Sequence, residues 1–446
     1  MKIIIVGAGE VGYQLAAKLC HEGHDIFVVE KDRERCRKIE ESLDVSVISG
    51  DGASQGTLLK AGIKSADMLI AATSVDEVNL FSCLIASKMG VKTKIARVRN
   101  PEYYNESSIL KKEDLGVDLM INPEFEVAEE ITRLLIRSVA SEIIEFENGK
   151  ILMVGIKVDQ DAPIINKQLR TLGTESQRKK FRIVAISKNN KTIIPRGDEY
   201  VNKNDQVFVV TKKEGLDELL EMAGKKDRAL KRVMILGGGR IGRKVAENLE
   251  ERDTKVTLLE SNKEKSMEVA GILKKSTVMN LDGTEIDILA REGIMNMDAL
   301  VATTSDDETN IITCLFAKHL GIKKTIALVN KTVYMPLMPV IGIDSTVNVR
   351  LSTANAILRF LRKGEVVSVA TFHGIDAEAI EIKVRKESKL VGKPLKNLKF
   401  PEGSLVAAII KGEEVIVPYG DTVIEPGNRV ILFALPHAIH ELEQRF

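Results

Sequence analysis

Two glycine loops, Gly7-x-Gly9-x-x-Gly12 and Gly237-x-Gly239-x-x-Gly242, stand 230 residues apart (237 − 7) in a chain of 446. Each follows a short apolar run, "KIIIV" or "RVMIL", and opens a helical pattern. Glu30 and Glu260 keep the same offset. Asp51 and Asp282, Thr73 and Thr304, Asn79 and Asn310, and Cys83 and Cys314 are 231 apart (282 − 51), so one residue is inserted before Asp282. A nearly constant offset over this span means a duplicated domain, and a repeat constrains the fold before any local pattern does.

The duplication runs past the glycine-loop regions. "INKQLRTL" at 165–172 matches "VGKPLKNL" at 391–398, and "IIPRGD" at 193–198 matches "IVPYGD" at 416–421. Four units result, alternately large and small. The expected boundaries are 1–138 and 232–363 for two nucleotide-binding domains, 139–223 and 364–446 for two small C-terminal regulatory domains, and 224–231 for a charged linker. In each large unit, apolar runs such as "DIFVV" and "MLIAA" alternate with helical segments, the signature of βαβ units and a parallel sheet covered on both faces. The small units read as strands, a short helix and hairpins, with turn residues between β runs in "RIVAISKNNKTIIPRGD" and "LVAAIIKGEEVIVPYGD". The expected fold class is therefore α/β, with two doubly wound Rossmann-like domains, each followed by a small α+β domain. Whether the small units bind a second effector or pair with neighbouring chains stays open.

In a G-x-G-x-x-G loop the first glycine makes a tight turn and the second lets the backbone approach a pyrophosphate. The third lets helix and strand pack closely, and the phosphates meet free N–H groups at the helix start. Gly7, Gly9 and Gly12, with Glu10 and Val11 between them, form one such loop; Gly237, Gly239 and Gly242, with Arg240 and Ile241, form the other. Glu30 and Glu260 end the second strand 23 residues after the first glycine (30 − 7), where a carboxylate accepts from a ribose diol and repels a 2′-phosphate. Both sites are thus expected to prefer NAD(H) or another adenosine nucleotide over NADP(H). Asp51-Gly52 and Asp282-Gly283 are candidates for the adenine side. Thr73-Ser74 and Thr304-Ser305 offer hydroxyls either to ligand or to helix capping. The halves then diverge: Arg97 and Arg99 face Leu328 and Asn330, and Glu10 faces Arg240. A cation in the loop suits a phosphate and a carboxylate opposes one, so the two sites are not expected to hold identical ligands.

Lys plus Arg number 65 and Asp plus Glu 64, a net charge of +1 that gives no general affinity for nucleic acid. Apolar runs fall well short of the ~20 residues that span a bilayer. The N-terminus enters a strand directly, without a signal-peptide pattern, so a cytoplasmic location is expected. Cys20, Cys36, Cys83 and Cys314 lack metal-ligand spacing and are expected to be reduced thiols; no metal is expected. The six histidines form no duplicated constellation, and Asp76, Glu77, Asp307 and Glu308 read as acidic helix starts rather than a catalytic pair. No catalytic residue is assigned.

Taken in order, "IIIVGAGEVG", "VVEKD", "GDGAS", "ATSVDEVN" and "PRGD" resemble the regulator-of-potassium-conductance family over essentially the whole chain. The tandem arrangement without membrane helices is similar to the regulatory subunits of Trk potassium uptake systems. That resemblance implies a non-catalytic subunit that assembles as a homo-oligomeric ring. The ring would lie peripherally on the cytoplasmic face of a TrkH-like pore-forming potassium transporter subunit, bind NAD(H) and ATP or ADP, and change shape to gate the pore. It places nucleotide contacts at Gly7, Gly9, Gly12 and Glu30, at Gly237, Gly239, Gly242 and Glu260, and at Asp51 and Asp282 near the adenosine. The residues themselves leave two alternatives open, a soluble NAD-dependent oxidoreductase and an NAD-sensing regulator of another transporter.

Overall fold

A computed structural model describes residues 1–446 apart from 22, 104–107, 137–141, 147–148, 159–160, 173, 175–179, 189–190, 204, 225–229, 284, 362–365, 372–374, 376, 389 and 444–446. Most of the expected linker at 224–231 lies outside the described residues. In the first half, β1 (Lys2–Val6), β2 (Asp25–Glu30), β3 (Ser46–Ser49), β4 (Met68–Ala71), β5 (Thr93–Arg97) and β6 (Leu119–Ile121) form one sheet in the order β3-β2-β1-β4-β5-β6. All its pairings are parallel. Ile3, Ile4 and Ile5 have no exposed surface, because helices cover both faces and successive side chains are all inside. The strand order reverses between β1 and β4, which opens a crevice beyond their carboxyl ends.

The second half repeats this with β12 (Arg232–Leu236), β13 (Lys255–Leu259), β14 (Thr277–Met279), β15 (Ala299–Ala302), β16 (Lys324–Leu328) and β17 (Ser345–Val347), in the order β14-β13-β12-β15-β16-β17. Sequence periodicity gives five strands per sheet, and the structure adds β6 and β17. Each has only three residues, too few to show a periodic pattern. Caps fix the helix ends: Asp32 accepts from Glu34 N and Arg35 N before the helix Arg33–Ser42, and Asn262 accepts from Lys265 N before Lys263–Ile272. Gly90 and Gly321, with φ of 84° and 89°, end the helices Asp76–Lys88 and Asp307–His319 in the left-handed conformation that glycine adopts freely.

The small domains are antiparallel. β7 (Glu142–Phe146), β8 (Ile151–Lys157), β9 (Phe181–Lys188), β10 (Lys191–Ile193) and β11 (Gln206–Lys212) are ordered β10-β9-β11-β8-β7. β18 (Val366–Thr371), β19 (Glu378–Lys383), β20 (Ser404–Lys411), β21 (Glu414–Ile416) and β22 (Arg429–Ala434) follow the matching order β18-β19-β22-β20-β21. The two small sheets pack on each other within this chain. Met153, Val184, Phe208 and Val210 share one core with Ala379, Ala407, Ile431 and Phe433. Arg182 Nη1 donates to Pro418 O at 2.8 Å across that junction, and a cavity of about 620 Å³ beside it is lined by Arg182, Arg196, Lys396 and Lys399 among others.

The chain forms two compact units, one of residues 1–130 with 347–360, the other of 131–346 with 361–446. The helix Val349–Leu361, which ends the second nucleotide fold in sequence, therefore belongs almost wholly to the unit of the first. Conversely, the end of the helix Pro123–Ile136 belongs to the other unit, where Thr132 Oγ1 accepts from Asn248 Nδ2 at 3.3 Å.

Candidate nucleotide-binding sites

The three glycines of each loop are required for different physical reasons. Gly7 and Gly237 have φ near 100°, and a Cβ on either would lie about 3.0 Å from Thr73 or Thr303. A Cβ on Gly12 would stand 1.8 Å from Gly7 O, and one on Gly242 2.0 Å from Gly237 O, so both are packing glycines. Gly9 and Gly239 are neither strained nor crowded. A Cβ on Gly9 would meet only Arg35 Nη1, at 3.8 Å, and one on Gly239 would meet nothing within 4 Å. The open space over the middle glycine is where a pyrophosphate can approach the backbone.

Glu30 and Glu260 are buried and tie the loop to the end of the second strand. Glu30 Oε2 accepts from Ala8 N at 2.7 Å and Oε1 from Asp32 N at 2.9 Å. Glu260 Oε2 and Oε1 accept from Gly238 N and Asn262 N, each at 2.9 Å. A carboxylate oxygen accepts more than one bond, so capacity for a ribose diol remains. Burial alone would raise the Glu260 carboxyl, but Lys265 and the two backbone donors outweigh it and hold it below its ordinary value. Arg35 occupies the position matching Lys265 and reaches toward the glycine loop instead, a cation near Gly9 that no motif marks.

Asp51 lies exposed at the end of β3 and accepts from Ala53 N at 2.8 Å; Asp282 is likewise exposed. Gly52 and Gly283 are packing positions, since a Cβ would lie 2.1 Å from Val6 or 2.4 Å from Leu236. Thr73 and Thr304 turn their hydroxyls inward, each 2.7 Å from the Oδ1 of a fully buried asparagine, Asn79 or Asn310. Those asparagines donate onward to Arg97 O and Leu328 O, joining the ends of the fourth and fifth strands. Ser74 and Ser305 remain exposed. Asp76 accepts from Arg99 N and Asn100 N, and Asp307 from Asn330 N and Lys331 N, so these acids hold the loop after the fifth strand.

The crevices differ most at Arg97. It ends β5, is buried, and donates from Nη1 to Thr73 O at 3.0 Å. Its Nε is buried with no hydrogen-bond partner among the described residues. Burial, then the neighbouring Arg99, pushes its proton affinity below the ordinary value. A buried donor without an acceptor is costly, and an anionic ligand would relieve it. Leu328 fills the matching place in the second half. Arg240 begins the helix Arg240–Glu250 there, whereas Glu10 begins Glu10–His21 and pairs with Arg350 Nε. Burial raises the thiols of Cys83 and Cys314, which keeps them protonated and inert, and Cys36 Sγ donates to Glu30 O at 3.3 Å.

Fold and crevices together define a protein of duplicated Rossmann-like domains with a small antiparallel domain at the end of each half. The TrkA-N domain model matches residues 3–123 and 233–349, and the TrkA-C domain model matches 153–224 and 379–446. The chain is 36% identical to Trk system potassium uptake protein TrkA homolog 1 of Methanosarcina mazei, over 100% of both chains. It is 34% identical to Trk system potassium uptake protein TrkA of Halomonas elongata, over 100% of this chain and 98% of that one. The chain belongs to the TrkA family of Trk potassium uptake proteins. Among solved structures it is similar to the GsuK RCK domain, with a TM-score of 0.60 at 19% identity over 100% of this chain and 94% of that one. It is also similar to the GsuK channel bound to NAD, with a TM-score of 0.61 at 20% identity over 100% of this chain and 78% of that one. Among the described residues no helix is long and apolar enough to cross a membrane.

Proposed function

We propose that this chain is the regulatory subunit of a potassium uptake system, binding NAD(H) or ATP/ADP in its crevices and biasing the opening of a TrkH-like pore partner. The observation that carries the reading is the inequality of two crevices on one duplicated frame: the first keeps a buried, incompletely bonded Arg97, and the second replaces it with Leu328. The candidate contacts remain the two glycine loops, Glu30 and Glu260, Asp51 and Asp282, with Arg97 in the first site only. Thr73 and Thr304 act through the frame, because their hydroxyls are bonded to Asn79 and Asn310. The subunit is non-catalytic in this reading and peripheral to the membrane, held there by its partner.

Assembly into a ring has support on the surface. Phe81 and Ile312 occupy equivalent positions (312 − 81 is again 231), and each is about half exposed on its helix. Like apolar positions on both repeats are what a ring of quasi-equivalent domains needs. A nucleotide acts only if it binds two ring shapes unequally, with a coupling typically of ~1–3 kcal/mol. The test is potassium uptake at limiting external potassium in cells lacking this gene, complemented with the native chain, Gly9→Asp or Gly239→Asp. Restoration by the native chain and failure of Gly9→Asp is the expected result. Full uptake in the deletion strain, with other potassium systems also removed, would refute the assignment.

A further inference from the structure

Arg350 is the second residue of the helix Val349–Leu361, held by the capping residue Asn348, whose Oδ1 accepts from Arg350 N at 2.9 Å and Leu351 N at 3.0 Å. This helix comes from the second half of the chain, yet it packs in the unit of the first, where Ser352 Oγ donates to Glu130 Oε2. That packing sets the Arg350 guanidinium against Glu10, the first residue of the helix that follows the glycine loop. Gly9, immediately before it, has Arg35 Nη1 within 3.8 Å of the place its Cβ would take. One guanidinium thus approaches Gly9 and the other the adjacent Glu10.

The arrangement is not a remnant of duplication, because both signs reverse in the other copy. Arg240 matches Glu10, and Glu124 matches Arg350 (350 − 124 is 226, as 348 − 122 is for the asparagines before them). Half-exposed ion pairs contribute little to folding, and a carboxylate at this point opposes a phosphate. A carboxylate covered by a guanidinium does not. We infer that Arg350 is the phosphate-facing cation of the first nucleotide site, supplied by the second half, and that Glu10 holds it over the loop while the site is empty. This rests on the reading of the first crevice as a nucleotide site.

The ligand class that follows is a nucleotide with at least a diphosphate. Arg35 and Arg350 match its charge, whereas a bare nucleoside offers them nothing. Glu10 acts as a positioning residue and as a competitor for Arg350, which the diphosphate takes over on binding. Ligand in the first half then fastens a helix whose chain continues, after Leu361, into the second small domain.

The test uses the full-length chain carrying Gly239→Asp, so that calorimetric titration reads the first site alone. Losing one charge-assisted hydrogen bond weakens binding about tenfold or more. Arg350→Gln is expected to weaken ADP and NADH by at least about tenfold and to leave adenosine, measured by displacement, within about twofold. Arg350→Lys should retain part of the affinity, and Glu10→Gln should tighten ADP several-fold by removing the competitor. Equal losses for ADP and adenosine in Arg350→Gln would show a packing role only and overturn the inference. So would unchanged ADP affinity in a chain where Gly9→Asp abolishes binding. If Gly9→Asp itself leaves ADP binding intact, the nucleotide reading of the first crevice fails, a result distinct from failure of Arg350 alone.

Discussion

Substituting alanine at Gly9 and at Gly12 should separate binding from folding within one loop. At Gly12 the new methyl would stand 1.8 Å from Gly7 O and 3.0 Å from Gly7 C, backbone atoms that cannot rotate away. Overpacking of that kind costs ~1–3 kcal/mol, and a rigid carbonyl places it at the upper end. Alanine regains at most ~1 kcal/mol of helix propensity, so a net loss of about 2 kcal/mol remains. For a domain of this size that lowers the melting temperature by roughly 4–10 °C. At Gly9 the φ is not positive and the nearest atom is 3.8 Å away, so apo stability should stay within about 0.5 kcal/mol. What Gly9→Ala should lose is the ligand's contribution, ~2.7 kcal/mol at a hundredfold excess over Kd. Differential scanning calorimetry with and without NADH or ADP reads both effects. A Gly12→Ala protein that melts with the native chain, or a Gly9→Ala protein that keeps the full nucleotide-induced shift, would refute the division of roles.

Asn79→Ala removes the acceptor of Thr73 N, one of the bonds of Thr73 Oγ1 and a donor to Arg97 O, and Asn310→Ala does the same for Thr304 and Leu328 O in the second half. Each should cost about 3 kcal/mol, since a stranded buried group costs ~1–3 kcal/mol, measured as a shift in denaturation midpoint. Arg97→Leu installs the second half's residue: first-site nucleotide affinity should fall while apo stability holds or rises by up to about 1 kcal/mol, because the stranded Nε is gone. Glu260 has a folded pKa below its unfolded value, so its stabilisation is fully present above the unfolded value near ~4.3 and fades as pH falls through the folded one. The stability difference between the native chain and Glu260→Gln should therefore be constant at neutral pH and shrink below about pH 4; a difference that grows with acid would contradict the sign. Phe208→Ala and Phe433→Ala, both in the core shared by the small sheets, should each cost ~3–5 kcal/mol in the thermal transition of those domains.

The frame of this protein is legible in its sequence because its signals are local. "IIIVGAGEVG" combines a buried strand, a turn glycine and a packing glycine within ten residues, and the second copy repeats them. Glu30 is legible for the same reason, although its bonds to Ala8 N and Asp32 N show it serving the loop itself. Thr73 stands close to the crevice but spends its hydroxyl on Asn79. The repeated spacing of Thr73 to Asn79 and Thr304 to Asn310 carries that signal, because an asparagine six residues on, in a helix, can return to the strand end. Arg350 shows what spacing does not reveal. It is 340 residues from Glu10 (350 − 10), and only the packing of the helix Val349–Leu361 brings the two together. The packing of the small sheets on each other is hidden likewise: the continuous apolar runs of β8 and β22 show strands covered on both faces, not which surface covers each.

That helix also gives the two halves a physical reason to stay in one chain. Its packing places it with the first crevice, while its covalent continuation enters the second small domain. If a nucleotide in the first site fastens the helix through Arg350, whatever biases the second small domain must change first-site affinity by the same factor, since coupling between sites is reciprocal. Two identical chains could separate and lose that linkage, whereas a covalent duplicate cannot. Covalent joining also removes the requirement that the copies be alike. A self-pairing interface between identical chains puts the same residue at both symmetric positions, so the pairing of Glu10 with Arg350, at positions where the other repeat carries Arg240 and Glu124, could arise only after duplication. Under the proposed function, Leu328 in place of Arg97 leaves the second copy free to take a different ligand, or to serve as the fixed frame against which the first responds.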